Sequence, residues 1–248
     1  MGVDIDLSQR VAVVTGGATG LGKGAAQALL RAGATVVILG RRGGMLASAA
    51  AGMGCSALVC DVTDRAQVVQ TFAAIHAAHG RLDILVNAAG LNLNGDSFAF
   101  SDEDWDRVHA VNGRGSFITS VEAARIMRTA GGGKIINYCS YGSANGLARG
   151  AAYTSSKGGV RQMTKSLALE FAPLNIQVNG IEPGWFKTEM TARMFEDPAW
   201  LARTHARIPM SRVGTVADLD GAVLLLASSL SDYITGIMLP VDGGAQAV

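Results

Sequence analysis

A tyrosine and a lysine stand four positions apart in AAYTSSKGG, residues 151–159, among otherwise small side chains. On a helix, Tyr153 and Lys157 lie one turn apart on the same face and can address a shared partner. A free phenol, pKa ~10, holds its proton too tightly to be a good base near neutral pH. An ammonium ~4 Å away, at an effective dielectric of ~20, favours the phenolate by roughly 4 kcal/mol, up to three pKa units before solvation losses. The pair could therefore move a proton to and from an oxygen. Neighbours at this spacing also arise as plain surface contacts, so the rest of the chain must decide.

A second group of residues suits phosphate. TGGATGLG, residues 15–22, follows an apolar β-branched run and opens a helical stretch. Glycines at 16, 20 and 22 let the backbone turn sharply and approach a pyrophosphate without Cβ clashes. The helix behind them aims free N–H groups and its dipole at the anion. This placement in a strand–turn–helix unit points to dinucleotide binding. An NAD site usually keeps an Asp or Glu about 20 residues past such a loop to hold the ribose 2′-hydroxyl. Here VVILGRR puts Gly40 at that place, followed by Arg41 and Arg42, and residues 7–60 contain no acid at all. A guanidinium grips a 2′-phosphate with charge-assisted bonds. NADP(H) is the expected cofactor, with NAD(H) as runner-up because both arginines could equally be solvated loop residues.

These residues need elements to hold them. VAVVT (11–15), TVVIL (35–39), ALVC (57–60), DILVN (83–87), KIINY (134–138), IQVNGI (176–181) and GIMLPV (236–241) read as strands. Several are apolar on both faces, as parallel strands covered by helices on each side must be. Helices are predicted over 21–33, 65–80 and 219–230, and a longer one begins at SDEDWD (101–106), with Ser101 as its cap. No linker or repeat interrupts the alternation. It predicts one domain over 1–248, a Rossmann-type doubly wound three-layer α/β/α sandwich with a mostly parallel sheet of about seven strands.

Bulk numbers narrow the function. The chain has 248 residues, 49% hydrophobic and 17% charged, with net charge +1. That balance predicts no nucleic acid and no anionic membrane as main partner. The longest apolar runs, such as AVLLLA (222–227), are too short to span a bilayer. MGVDIDLSQR lacks the basic and apolar stretches of a signal peptide, and Asp6 stands where a myristoylation motif after Gly2 needs Ser or Thr. A cytoplasmic location is expected. Cys55, Cys60 and Cys139 have no paired spacing and no His cluster, so free thiols and no metal site are expected.

TGxxxGxG, NAAG (87–90), a serine thirteen residues before the YxxxK pair, and PGWFKT (183–188) stand in the order and spacing of a short-chain dehydrogenase/reductase. The resemblance runs from about Ser8 to Gly244. GGVRQMTKSLALEFAPLNIQVNGIEPGWFKTEM and LPVDGG look most like the gluconate 5-dehydrogenase group and related sugar-acid and polyol dehydrogenases. It implies a reversible, metal-independent oxidoreductase joining a secondary alcohol to a ketone by hydride transfer. Tyr153 would be the acid and base, and Lys157 would also hold the nicotinamide ribose. Ser140 would donate a hydrogen bond to the substrate oxygen, stronger as charge develops there. Asn112, in VHAVNGRGSF, would hold a water that links the lysine to solvent. As bland alternatives, Ser140 is a strand end and Asn112 a helix kink or core polar group.

The resemblance further implies cofactor contacts from Gly16, Thr19, Gly20, Leu21 and Gly22. Asp61 and Val62 would lie at the adenine, although Asp61 could instead cap a helix. Asn87, Ala88 and Gly90 would flank the cofactor, and Pro183, Gly184 and Thr188 would hold the nicotinamide amide. Tyr141 and Glu182 have no assigned role; Glu182 could pair with Arg or Lys, or touch substrate.

The substrate is the least legible part. Residues 188–212 are expected as a lid mixing Met190, Met194, Phe195 and Trp200 with Arg193, Arg203, His205 and Arg207. Trp185, Phe186, Asn92, Asn94 and Arg149 could also approach the site. Arginines and amides suit a sugar acid or polyol; the aromatics suit a cyclic, aryl or 3-oxoacyl ketone. A non-catalytic dinucleotide-binding sensor is the rival from another class. A homotetramer is expected from the family and from the apolar helix end MTKSLALEF (163–171).

Overall fold

Strands with two apolar faces need two covered faces, and the helices supply both covers. The computed structural model describes residues 5–189 and 191–248, so Met1, Gly2 and Met190 lie outside the described residues. In chain order come β1 (Val11–Thr15), α1 (Gly20–Arg31), β2 (Thr35–Gly40), α2 (Gly43–Met53), β3 (Ser56–Val59), α3 (Arg65–His79) and β4 (Ile84–Asn87). After them follow α4 (Asp102–His109), α5 (Ser116–Met127), β5 (Gly133–Tyr138), α6 (Ala151–Phe171), β6 (Ile176–Pro183), α7 (Pro198–Ala206), α8 (Asp220–Ala227) and β7 (Met238–Val241).

The seven strands form one sheet in the order β3-β2-β1-β4-β5-β6-β7, and every neighbouring pair is parallel. Alternate residues divide the core. Ala12, Val14, Ile38, Val86 and Ile136 pack with Leu29 of α1, Leu46 of α2 and Leu226 of α8. Val13, Val37, Leu85, Ile135 and Val178 pack on the other face with Phe72 of α3, Ile118 of α5 and Leu167 of α6. Each such side chain, removed from water, contributes roughly 1.5–3 kcal/mol. The chain runs outward from β1 to β3 and then crosses back to β4. That reversal opens a crevice at the carboxyl ends of β1 and β4, where ligands of open α/β sheets bind. Among the described residues, no helix is long and apolar enough to cross a membrane.

The helix expected from Ser101 is capped as read: its Oγ accepts from Asp104 N at 3.1 Å, with Asp102, Glu103 and Asp104 in the first turn. It does not run on unbroken. A six-residue π-helical segment, Ala110–Gly115, separates α4 from α5. Asn112 sits in this widened turn, which is how a helix residue comes to face the loop after β4.

Candidate active site

The turn after β1 is shaped around its glycines. Gly16 has φ +66°, and a Cβ there would stand 2.9 Å from the Ala88 oxygen and the Ala89 backbone. A Cβ at Gly22 would run into the Gly16 carbonyl oxygen. Thr15 Oγ1 accepts from the N–H groups of Ala88 and Ala89, both at 3.1 Å, and ties this turn to the loop after β4. The Thr19 side chain makes no capping bond, so the first N–H groups of α1 stay free. They face a cavity of about 570 Å³ whose wall includes Thr19, Gly20, Leu21 and Gly22. An uncapped helix start with its positive dipole end against a cavity suits a pyrophosphate.

At the edge of this cavity formed by β2 and β3 stand Arg41, Arg42, Asp61 and Val62. Arg41 Nη1 lies 3.6 Å from Asp61 Oδ2, while Arg42 makes no ion pair among the described residues. Asp61 is not the helix cap. Asp64 caps α3, accepting from Ala66 N and Gln67 N, and Asp61 Oδ1 accepts from the Thr63 N–H and hydroxyl instead. Burial works against the Asp61 charge, but those bonds and Arg41 still hold its carboxyl below the ordinary value.

Ser140, Tyr153 and Lys157 line the same cavity, together with Ala88, Gly90, Pro183, Gly184, Trp185 and Thr188. Ser140 lies two residues past β5 and caps the short turn after it, accepting from Gly142 N at 3.0 Å. Burial raises the Tyr153 phenol above its ordinary value, and the neighbouring Ser140 hydroxyl pulls it back. The expected lowering by Lys157 does not appear. Lys157 Nζ instead donates to the Tyr138 carbonyl at 2.6 Å, and burial lowers the pKa of its ammonium. Tyr138 was missed from sequence because the group it offers is a backbone carbonyl, which any residue type carries.

Asn112 is fully buried and clamps the loop after β4. Its Oδ1 accepts from Leu91 N at 2.8 Å, and its Nδ2 donates to Leu91 O and Ser156 Oγ, both at 2.9 Å. A Cβ on Gly90 would lie 3.5 Å from Asn112 Oδ1 and 3.8 Å from Lys157 Nζ, so these two groups face one spot across that glycine. The Asn87 side chain does not line the cavity. Nδ2 donates to Ser120 Oγ and Asn137 Oδ1, both at 2.9 Å, and Oδ1 accepts from Thr119 Oγ1 at 2.7 Å. It is a strut joining β4 to α5 and β5, because its side chain points into the layer beneath the sheet.

The far wall is built from Asn92, Asn94, Tyr141, Trp185 and the segment after β6. The Tyr141 and Trp185 rings lie 4.7 Å apart at 39°, which gives Tyr141 a place. Phe186 pairs with Gly214 at an isolated bridge, so the chain between them leaves and returns at one point. From that segment Met194, Trp200, Thr204 and Arg207 reach the cavity. Phe195 packs edge-on against Trp200 at 5.2 Å, and Arg203 turns to Asp197 at 4.0 Å. His205 does not line the cavity, and the Arg193 side chain lies outside the described residues. Nor does Arg149 line it; with φ +63° it serves as a backbone joint whose carbonyl accepts from Gly95 N at 2.9 Å.

Glu182 does not line the cavity either. It is buried on β6, 3.0 Å from Arg161 Nε of α6, and burial raises its carboxyl despite that partner. Tyr153, Lys157 and Arg161 thus descend one face of α6 at one-turn intervals. Cys139, next to Ser140, is buried with its thiol pushed up to about 12. All three cysteines are free.

Residues 16–246 match the family model described as enoyl-(acyl carrier protein) reductase. The chain is 39% identical over 243 residues to a gluconate 5-dehydrogenase of Gluconobacter oxydans, covering 96% of this chain and 95% of that protein. It is 40% identical over 242 residues to a 2-dehydro-3-deoxy-D-gluconate 5-dehydrogenase of Escherichia coli, covering 96% of each. The crystal structure of a gluconate 5-dehydrogenase from Burkholderia cenocepacia, in complex with NADP and tartrate, superposes with a TM-score of 0.95 at 37% identity, over 99% of this chain and 98% of that one. Strand order, glycine turn and a match over nearly the whole length agree, and the chain belongs to the short-chain dehydrogenase/reductase family of oxidoreductases.

Proposed function

We propose that this enzyme interconverts a secondary alcohol and a ketone on a sugar acid or polyol, with NADP(H) preferred and NAD(H) second. The observation that carries the reading is the single cavity that holds the glycine turn, Arg41 and Arg42, and the Ser140, Tyr153 and Lys157 side chains. The residues fit the cofactor: free N–H groups of α1 suit its pyrophosphate, and the arginines suit a 2′-phosphate. Thr19, Gly20, Leu21, Gly22, Asp61, Val62, Ala88, Gly90, Pro183, Gly184 and Thr188 would complete its bed. When bound, the nicotinamide supplies the hydride acceptor in oxidation and the donor in reduction.

The chain's own part is the proton. In oxidation the alcohol O–H bond breaks, its proton passes to the Tyr153 phenolate, and the oxygen becomes a carbonyl. In reduction the Tyr153 phenol returns that proton to the developing alkoxide. Ser140 donates a hydrogen bond to the same oxygen and favours the charged transition state. Lys157 would hold the nicotinamide ribose, and the remaining lone pair on Asn112 Oδ1 would hold a water beside it. The reading includes a homotetramer.

The sugar-acid reading draws on the names of the similar proteins and on the amides and arginine of the far wall. The Tyr141–Trp185 and Phe195–Trp200 pairs favour a second reading, a cyclic or aryl ketone. A panel of gluconate, keto-gluconates, polyols and cyclic and aryl ketones, followed by NADPH absorbance, separates them. Turnover of keto-gluconates supports the proposal; fast reduction of cyclic or aryl ketones without it overturns the substrate class. Tight cofactor binding with no turnover on any compound would leave the sensor.

A further inference from the structure

We propose that Arg207 is the carboxylate anchor of the substrate pocket, so that the enzyme selects hydroxy acids over uncharged polyols by charge. This rests on the proposal that Tyr153 marks the reacting end. Among the described residues, four cations line the cavity: Arg41, Arg42, Lys157 and Arg207. The first two belong to the end of β2, four strand spacings or roughly 19 Å from β6. Lys157 is engaged by the Tyr138 carbonyl. Among the described residues, Arg207 is left as the cation of the substrate wall. It directly follows α7 and shares that wall with Trp200 and Thr204.

Its neighbours in sequence are committed elsewhere: Arg203 to Asp197, and Arg212 to Asp218 at 2.8 Å. Arg207 makes no ion pair among the described residues. Among the described residues, the cavity's two acids, Asp61 and Glu189, form no ion pair with it. Asp61 faces Arg41, and Glu189 directly follows Thr188, whose side chain lies 3.4 Å from where a Cβ on Gly20 would stand, at the phosphate turn. On the same cavity, Asn92 Oδ1 is buried without a hydrogen-bond partner. A buried acceptor without a donor is costly, and a substrate hydroxyl would satisfy it. An unpaired guanidinium and an unfilled acceptor on one cavity describe a hydroxylated carboxylate.

Two measurements test this on wild type, Arg207→Met and Arg207→Lys. The ratio of kcat/KM for gluconate to that for sorbitol should fall roughly 10- to 100-fold in Arg207→Met, with partial recovery in Arg207→Lys. An unchanged ratio overturns the anchor. Calorimetric binding of tartrate to the enzyme–NADP complex reads the site without turnover, and Arg207→Met should weaken it by a similar factor. If wild type oxidises no sugar acid yet tartrate binding still depends on Arg207, the anchor stands and the proposed substrate falls. Tartrate binding indifferent to Arg207 overturns the anchor whatever the turnover. Cofactor affinity, by quenching of protein fluorescence, should stay level in both variants; a parallel fall would make Arg207 a structural residue.

Discussion

Tyr153 holds its proton more tightly than a free phenol because it is buried, and this sets the direction of its pH dependence. Oxidation needs the deprotonated form, so kcat/KM for the alcohol should rise with pH through neutrality toward the alkaline range. Reduction needs the protonated form, so it should stay level there and fall only above the phenol's pKa. Tyr153→Phe should lose roughly 10²–10⁴-fold in turnover with cofactor affinity intact; wild-type rates would refute the acid–base role. In the proposed reading, Arg42, without a carboxylate partner among the described residues, carries the coenzyme choice together with Arg41. Wild type should favour NADP over NAD by roughly 10- to 100-fold in kcat/KM, and Arg41→Ala/Arg42→Ala should erase the preference. A wild type that prefers NAD would end that assignment. Residue types at fixed spacing made Ser140, Tyr153 and Lys157 legible in sequence. The Lys157–Tyr138 bond was not, because a carbonyl has no residue signature; a basic partner for Glu182 could be read, but not that it is Arg161, 21 positions away.

Elements were readable where burial leaves a pattern. All seven strands could be placed: the inner ones as apolar runs with both faces covered, while β3 and β7 at the sheet's edges are short apolar runs left partly exposed. The helix at 43–53 escaped notice, since GGMLASAAAGM begins with two glycines and has almost no polar face. The π-helical segment is invisible in periodicity, being a single widened turn. Its worth can be measured through Asn112, whose carboxamide joins it to Leu91 and Ser156. Asn112→Ala should cost roughly 2 kcal/mol and lower Tm by several degrees, by leaving those groups unpaired. An unmoved Tm would show that the clamp carries no load. Gly22→Ala should be worse for cofactor than for folding, because the new Cβ meets the Gly16 carbonyl and pushes the phosphate turn open. Loss of NADP binding with circular dichroism preserved is the expected pattern; unchanged NADP affinity would contradict it.

At the scale of the whole molecule, Trp105 on α4, Phe117 on α5 and Leu169 on α6 expose apolar surface, Leu169 to 80%. Light scattering should return four times the 25.6 kDa chain mass, and a monomer at micromolar concentration would refute the tetramer. The cysteines bear on a different property, durability. Cys139 is bonded directly to Ser140, yet burial pushes its thiol up to about 12, so it stays protonated near neutral pH. Burial raises Cys55 and Cys60 as well. Iodoacetamide should therefore leave the native enzyme active and label three thiols only after unfolding; inactivation in step with one alkylation would show otherwise. Peroxide should strike the exposed Met45 and Met210 first, leaving Cys139 beside Ser140 chemically quiet while the surface ages around it.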